Sequence, residues 1–287
     1  MPIAVRVAGG GGPPLLLLHG AGCSLSYWGA MLPGLAEGHR VVAMDFRGHG
    51  RSGDGPWDVA SLMADIEAVR REHGLEGGAI VGHSMGAVLA HLFADAHPDV
   101  PAVVNLDGFS LRPSEYVGLG AGEVVERKSR LHAEDDRPAT YSADEIAGRV
   151  EAWVGQFGLD AEQAGEIVHS GVRAGADGRY VTRLSRDADE GIRVFYDGFM
   201  GERSLFGLVG AARCRSLVVR AERSSFEGLE DWKRELFAAY SAGVEAGLAR
   251  IAACPGVRVR RVDAGHMLPL EQPALLVREI REFLAGA

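Results

Sequence analysis

Cysteine is scarce in this chain of 287 residues. Cys23, Cys214 and Cys254 stand far apart and form no C-x-x-C pair. That suits free thiols in a reducing compartment better than a disulfide framework. Long apolar runs are missing too. The stretch MPIAVRVAGGGG lacks the apolar core of a secretory leader, and the run from Leu15 to Leu18 is far too short to span a bilayer. Both absences predict a soluble, cytoplasmic protein with no membrane span. Positive charge is also short: 30 Lys and Arg face 39 Asp and Glu, a formal net charge of −9. Nucleic acid is therefore a poor partner, because phosphate contacts need a basic face. Of the cations only Lys128 and Lys233 are lysines, a bias that hints at a GC-rich bacterial genome. Metal-ligand spacing is lacking as well. The run Glu134-Asp135-Asp136 has no accompanying histidine pattern and reads as a solvated loop.

What is present is a rhythm of short buried strands and amphipathic helices. Residues 3–7 alternate like an edge strand, and Leu15–Leu18 reads as a strand covered on both faces. Arg40–Asp45 follows as a third strand, then residues 58–72 as a helix with Val59, Leu62, Ile66 and Val69 on one face. Further strands are expected at 79–83 and 101–106, with a helix between them. From about Phe109 to Leu208 the chain turns polar and helix-like, with Ser142 and Glu145 spaced as a capping box. Strands resume at 216–220 and 257–262, separated by a helical stretch at about 226–253, and a helix at 274–285 closes the chain. Strands alternating with helices predict an α/β fold with a doubly wound, mostly parallel sheet. Since both flanks are needed to complete one sheet, residues 1–108 and 209–287 form one core and residues 109–208 an inserted helical cap.

The strand at 79–83 runs into Gly82-His83-Ser84-Met85-Gly86 and then into a helix. G-x-S-x-G alone is a weak signal in a chain with 40 glycines. Between a strand and a helix it signifies a sharp turn that projects Ser84 at its tip, with glycines where any Cβ would strike the neighbouring backbone. A serine hydroxyl needs a base to take its proton, and histidine titrates nearest neutrality. Of ten histidines, His266 is the one at the carboxyl end of the last strand, where open α/β folds place their sites. His83 adjoins the serine but points away from it, so it lines the pocket or packs below.

Four motifs in this order, HGAG at 19–22, DFRGHGRS at 45–52, GHSMG at 82–86 and AGHMLPLEQP at 264–273, resemble the α/β-hydrolase superfamily in its serine esterase, lipase and lactonase branch. The likeness covers residues 14–107 and 213–285. It implies Ser84 as nucleophile and His266 as base. It further implies an oxyanion hole formed by the backbone N–H groups of Ala21 and Met85, with no metal or organic cofactor. Most of the superfamily carries its third catalytic member in a turn after the strand at 216–220, where this chain has Ser224. Asp107, after the strand that follows the nucleophile helix, is the stronger substitute, as in some haloalkane dehalogenases. Glu222 is the alternative.

Asp45, Arg47, His49 and Ser52 read as a bracing turn, and Cys23 as a small buried thiol. Trp28 and Phe109 are candidate pocket residues alongside His83. Trp153, Phe157, Phe195, Tyr196 and Phe199 read mainly as cap core. The expected activity is hydrolysis of a small or medium carboxylic ester, lactone or thioester through an acyl-serine. Peptide or epoxide cleavage is disfavoured: the elbow carries serine, where the resemblance places aspartate in dehalogenases and epoxide hydrolases. Two competitors stand: a non-hydrolytic biosynthetic enzyme on the same fold (acyl transfer, lyase or cyclisation), and a ligand-binding protein that keeps only the pocket.

Overall fold

The computed structural model describes residues 1–134, 140–175, 177–223 and 228–286. Strands β1 (Val5–Ala8) and β2 (Pro14–Leu18) come first, followed by helix α1 (Leu32–Ala36) and β3 (Arg40–Met44). Helix α2 (Val59–Glu72), β4 (Ala79–His83), α3 (Met85–Ala96) and β5 (Ala102–Leu106) complete the first half. The α2 start follows its sequence: the Asp58 carboxylate accepts the Ser61 N–H at 2.8 Å. After β5 come α4 (Ala121–Ala133), β6 (Thr140–Tyr141), α5 (Ala143–Phe157), α6 (Ala161–Ser170), β7 (Val172–Ala174), β8 (Tyr180–Thr182), α7 (Arg186–Val194) and α8 (Leu205–Ala211). The chain ends with β9 (Arg215–Ala221), α9 (Asp231–Ile251), β10 (Val257–Val262), α10 (Leu268–Glu271) and α11 (Pro273–Ala285).

Seven strands form one sheet in the order β1-β3-β2-β4-β5-β9-β10. Only β1, at the edge, runs antiparallel; β2, β3, β4, β5, β9 and β10 pair in parallel. The two sheet faces bury separate apolar layers. Leu16, Val42, Ile80 and Val103 pack toward α2 and α3, while Leu15, Val41, Val81 and Val104 pack toward Leu276, Ile280 and Phe283 of α11. Alternate residues of one strand thus serve opposite layers, which is why these strands read as unbroken apolar runs. Strands β5 and β9 are direct neighbours, so the intervening chain adds no described strand to this sheet. It does build a second sheet, β6-β8-β7, antiparallel throughout. The segment expected as helical is mainly helical and carries this small sheet besides, which the sequence did not reveal because strands of two or three residues are too short to register an alternating pattern. The capping box at Ser142 and Glu145 is present. The segment expected to turn helical near Phe226 does so from Asp231; residues 224–227 lie outside the described residues, as do Asp135 and Asp136. Among the described residues no helix is long and apolar enough to cross a membrane.

Candidate active site

Ser84 sits at the junction of β4 and α3 with φ 53° and ψ −121°. A non-glycine residue in that region stores roughly 1–3 kcal/mol of strain, and the surroundings must enforce it. Here the Ser84 N–H donates to the Leu106 carbonyl at 3.0 Å, and the two flanking glycines leave no room to relax. A Cβ at Gly82 would stand 2.4 Å from the Ala87 backbone, and one at Gly86 2.3 Å from the Leu18 carbonyl oxygen.

Asp107 shares the unusual conformation, with φ also 53°. Its turn is clasped by Asn105, whose side chain accepts the Gly108 N–H and donates to the Gly108 carbonyl, both at 2.8 Å. One carboxylate oxygen accepts the Ala221 N–H and an Arg220 N–H, each at 3.0 Å. The other accepts the His266 Nδ1–H at 2.8 Å. Burial by itself pushes the Asp107 carboxyl upward, but His266, the Ala221 N–H and the Arg220 guanidinium outweigh it and hold it below the usual carboxylate range. The Ser84 hydroxyl then donates to His266 Nε2 at 3.1 Å, which completes a hydroxyl–imidazole–carboxylate chain.

The loop that carries His266 is pinned from two sides. The Gly265 N–H donates to the Glu271 carboxylate at 3.0 and 3.1 Å. His83 Nε2–H donates to the His266 carbonyl at 2.8 Å. His83 is buried, and burial followed by the neighbouring His266 pushes it down to about 3, so it stays neutral. It packs beneath the site, as one of its two expected placements had it.

The Gly20–Gly22 turn lies against the same junction: a Cβ on Gly20 would be 3.0 Å from the Ser84 Cβ. Among the described residues neither the Ala21 N–H nor the fully buried Met85 N–H meets a hydrogen-bond acceptor. Cys23 is buried, and burial pushes its thiol up to about 12, so it is not a nucleophile at neutral pH. Asp45 braces the loops as expected, accepting the Leu25 N–H at 2.6 Å and the Arg51 N–H at 2.8 Å.

A pocket of about 370 Å³ opens over these groups, lined by Ala21, Ser84, Asp107 and His266 together with Phe109 and Tyr240. Phe109 is therefore a pocket residue. Trp28 is not: it is fully buried in the apolar layer that also holds Leu276, Ile280 and Phe283 of α11. Glu222 is exposed and is engaged through its N–H with the Val262 carbonyl, while His266 pairs with Asp107. Ser224 lies outside the described residues. Of the aromatics assigned to the inserted segment, Trp153 and Phe157 pack with Tyr27, and Phe195 packs against Trp57; Tyr196 reaches the pocket. Lys128, His132 and Asp197 line it too. No motif or spacing joins these three, so sequence reasoning missed them. A separate cavity of about 170 Å³, bordered by Gly22, Tyr27, His49 and Trp153, includes none of the chain Ser84, His266, Asp107. Among the described residues, no cluster of three His, Cys, Asp or Glu side chains is placed to hold a metal ion.

A family profile described as alpha/beta hydrolase fold matches residues 13–128. Lipase LipV of Mycobacterium tuberculosis is 30% identical over 287 residues, which span 98% of this chain and 97% of that protein. Epoxide hydrolase B of the same organism is 35% identical over 147 residues, 50% of this chain but only 38% of that protein's length. Among solved structures, E-2-(acetamidomethylene)succinate hydrolase superposes with a TM-score of 0.68 at 20% identity, covering 99% of this chain and 95% of its own. That likeness is one of fold.

Proposed function

The chain belongs to the α/β-hydrolase superfamily, and from that premise we propose that it is a serine hydrolase of a small or medium carboxylic ester, lactone or thioester. The observation that carries this reading is the continuous relay from the Ser84 hydroxyl to His266 Nε2 at 3.1 Å and from His266 Nδ1 to Asp107 at 2.8 Å. Ser84 attacks the carbonyl carbon as its proton passes to His266, and the resulting imidazolium faces a carboxylate that its own partners keep ionised. The tetrahedral oxyanion accepts hydrogen bonds from the Ala21 and Met85 N–H groups, whose lack of other acceptors supports that role. Met85 also opens α3, so the helix dipole favours the same negative charge. His266 returns its proton to the leaving alkoxide or thiolate, and an acyl-Ser84 remains. Water then enters; His266 removes its proton, and free acid leaves. Residues 109–208 act as the lid that excludes bulk water and shapes the substrate space. The full-length match to a lipase supports ester chemistry.

The test is covalent labelling. A fluorophosphonate should modify Ser84, mapped by mass spectrometry, and Asp107→Ala should slow labelling far more than Glu222→Ala. Labelling that is absent from Ser84, or that survives Asp107→Ala while Glu222→Ala abolishes it, would overturn the assignment.

A further inference from the structure

Above Ser84 the pocket carries a charged group that the relay does not use. Lys128 on α4 contacts one oxygen of Asp197, and His132, one helical turn further along α4, meets the other oxygen at 3.3 Å. Asp197 lies in the π-helical turn Phe195–Phe199, an irregularity that recurs at functional positions because it re-aims side chains. All three residues line the pocket that holds Ser84 and His266. The wall also includes Phe109, Ser110, Leu111, Tyr116, Tyr196 and Tyr240, and of those phenols Tyr240 donates to the Phe109 carbonyl at 3.1 Å.

Charge is handled unevenly here. One of the chain's two lysines stands in this pocket. A lysine against aromatic walls loses hydration at a cost that a counter-charge offsets, and Asp197 supplies one. Asp197 satisfies one of three ammonium donors, however, and its second oxygen is taken by His132. Two ammonium N–H groups remain, on a side chain about one-fifth exposed. The other pocket carboxylate, Asp107, is engaged by Arg220, Ala221 and His266. Both pocket carboxylates are therefore engaged, while the ammonium keeps donors to spare.

We propose that Lys128 selects a substrate bearing an anionic group, a carboxylate, on the part of the molecule away from the scissile bond. Asp197 holds the ammonium in place and lowers the cost of leaving it in a pocket with no substrate bound. This deepens the serine-hydrolase reading and rests on it. Lys128 binds and orients; it exchanges no proton with the reacting atoms.

The experiment compares matched ester pairs on the full chain, one member neutral and the other ending in a carboxylate. The carboxylate sits on the acyl side in one pair and on the alcohol side in the other. In at least one pair the charged ester should lead by about tenfold in kcat/KM, mainly through KM, the factor that one charge-assisted hydrogen bond supplies. Lys128→Met should erase that lead, and Lys128→Arg should restore part of it. Asp197→Asn should enlarge it by removing the competing carboxylate, a gain that a purely structural role for this pair would not produce. Neutral esters leading in both pairs, or a lead that survives Lys128→Met, would overturn the inference while labelled Ser84 leaves the hydrolase standing. Wild-type protein in which Ser84 resists the fluorophosphonate would sink both.

Discussion

Every residue of β4 and of β5 is buried, whereas α4 buries only Val124 and α5 only Ile146. The strands end in Ser84 and Asp107, held in left-handed backbone by surrounding carbonyls and amides. Helix α4 contributes instead side chains that are only half-buried where they line the pocket, Lys128 and His132. Reaction geometry needs tolerances of a fraction of an ångström, and only an interior packed without slack supplies them. Recognition of a substrate's outer parts tolerates looser support. Substitutions at the sheet crest should therefore act on rate or on folding as a whole, and those in the insertion on preference or on local order.

The sharpest way to break this contrast is at the relay. Ser84→Ala should remove acylation altogether, and Asp107→Asn should lower kcat by about ten-thousandfold, because the amide no longer holds the imidazole in the required tautomer. Ser84→Ala should unfold at nearly the wild-type urea concentration, and Asp107→Asn at a lower one, because it gives up the buried ion pair with Arg220. An Asp107→Asn enzyme within tenfold of wild type would place the orienting acid elsewhere.

Acidification should sharpen the contrast next, because the strands, helix α3 and core loops carry buried histidines, four of them shifted far down by burial. His19 and His91 are pushed down to about 4, and His49 and His83 to about 3. The unfolded chain takes up these protons near 6.5 and the folded chain refuses them. Stability from the four is thus complete above about pH 6.5 and is lost as the pH falls toward 4, by up to about 1.4 kcal/mol per unit for each. Asp107, held low, adds a loss at still lower pH, as its carboxylate protonates in the fold. The urea midpoint should fall steeply between pH 7 and pH 5. His91→Leu, remote from the relay, should flatten that slope by about one proton. A midpoint independent of pH over this range would show that these rings titrate in the fold as they do in the unfolded chain.

Much of this was legible in the chain itself, for a physical reason. Parallel strands buried on both faces give unbroken apolar runs, and the serine turn needs glycine at 82 and 86, so both leave marks in residue identity. Asp107 as the acid is what the resemblance implies once Ser224 stands in the usual place; its clasp by Asn105 is local, yet its ties to Arg220 and Ala221 join chain segments more than a hundred residues apart. The β6-β8-β7 sheet escaped because its strands hold two or three residues each, and Trp28 was misplaced because sequence adjacency to the Gly20–Gly22 turn does not reveal which side of the sheet a ring enters. The Lys128–Asp197–His132 group was invisible. It joins a helix to an irregular turn, and no spacing rule reaches across that gap.

Gly82→Ala should come third in size. Its methyl would lie 2.4 Å from the Ala87 backbone, where neither strand nor helix can withdraw. Overpacking against main chain should cost about 3 kcal/mol and shift the urea midpoint accordingly. By contrast Gly148, in α5 of the insertion, has open space around its would-be Cβ, so Gly148→Ala should be neutral or slightly stabilising through helix propensity.

The smallest difference concerns two isoleucines of almost equal burial. Ile80 in β4 is fully buried, and Ile146 in α5 is 2% exposed. Area alone predicts the same loss for each on truncation to alanine. The surroundings differ: Ile80 is fixed among sheet and helix neighbours that cannot close on a cavity, whereas Ile146 is the single buried residue of its helix, and that helix can shift. Ile80→Ala should therefore cost about 4 kcal/mol globally and Ile146→Ala about 2, expressed mainly as faster amide exchange confined to residues 143–170. Equal global losses, with exchange protection falling uniformly along the chain, would mean that the inserted segment unfolds together with the sheet, and that its role in preference cannot be separated from its role in stability.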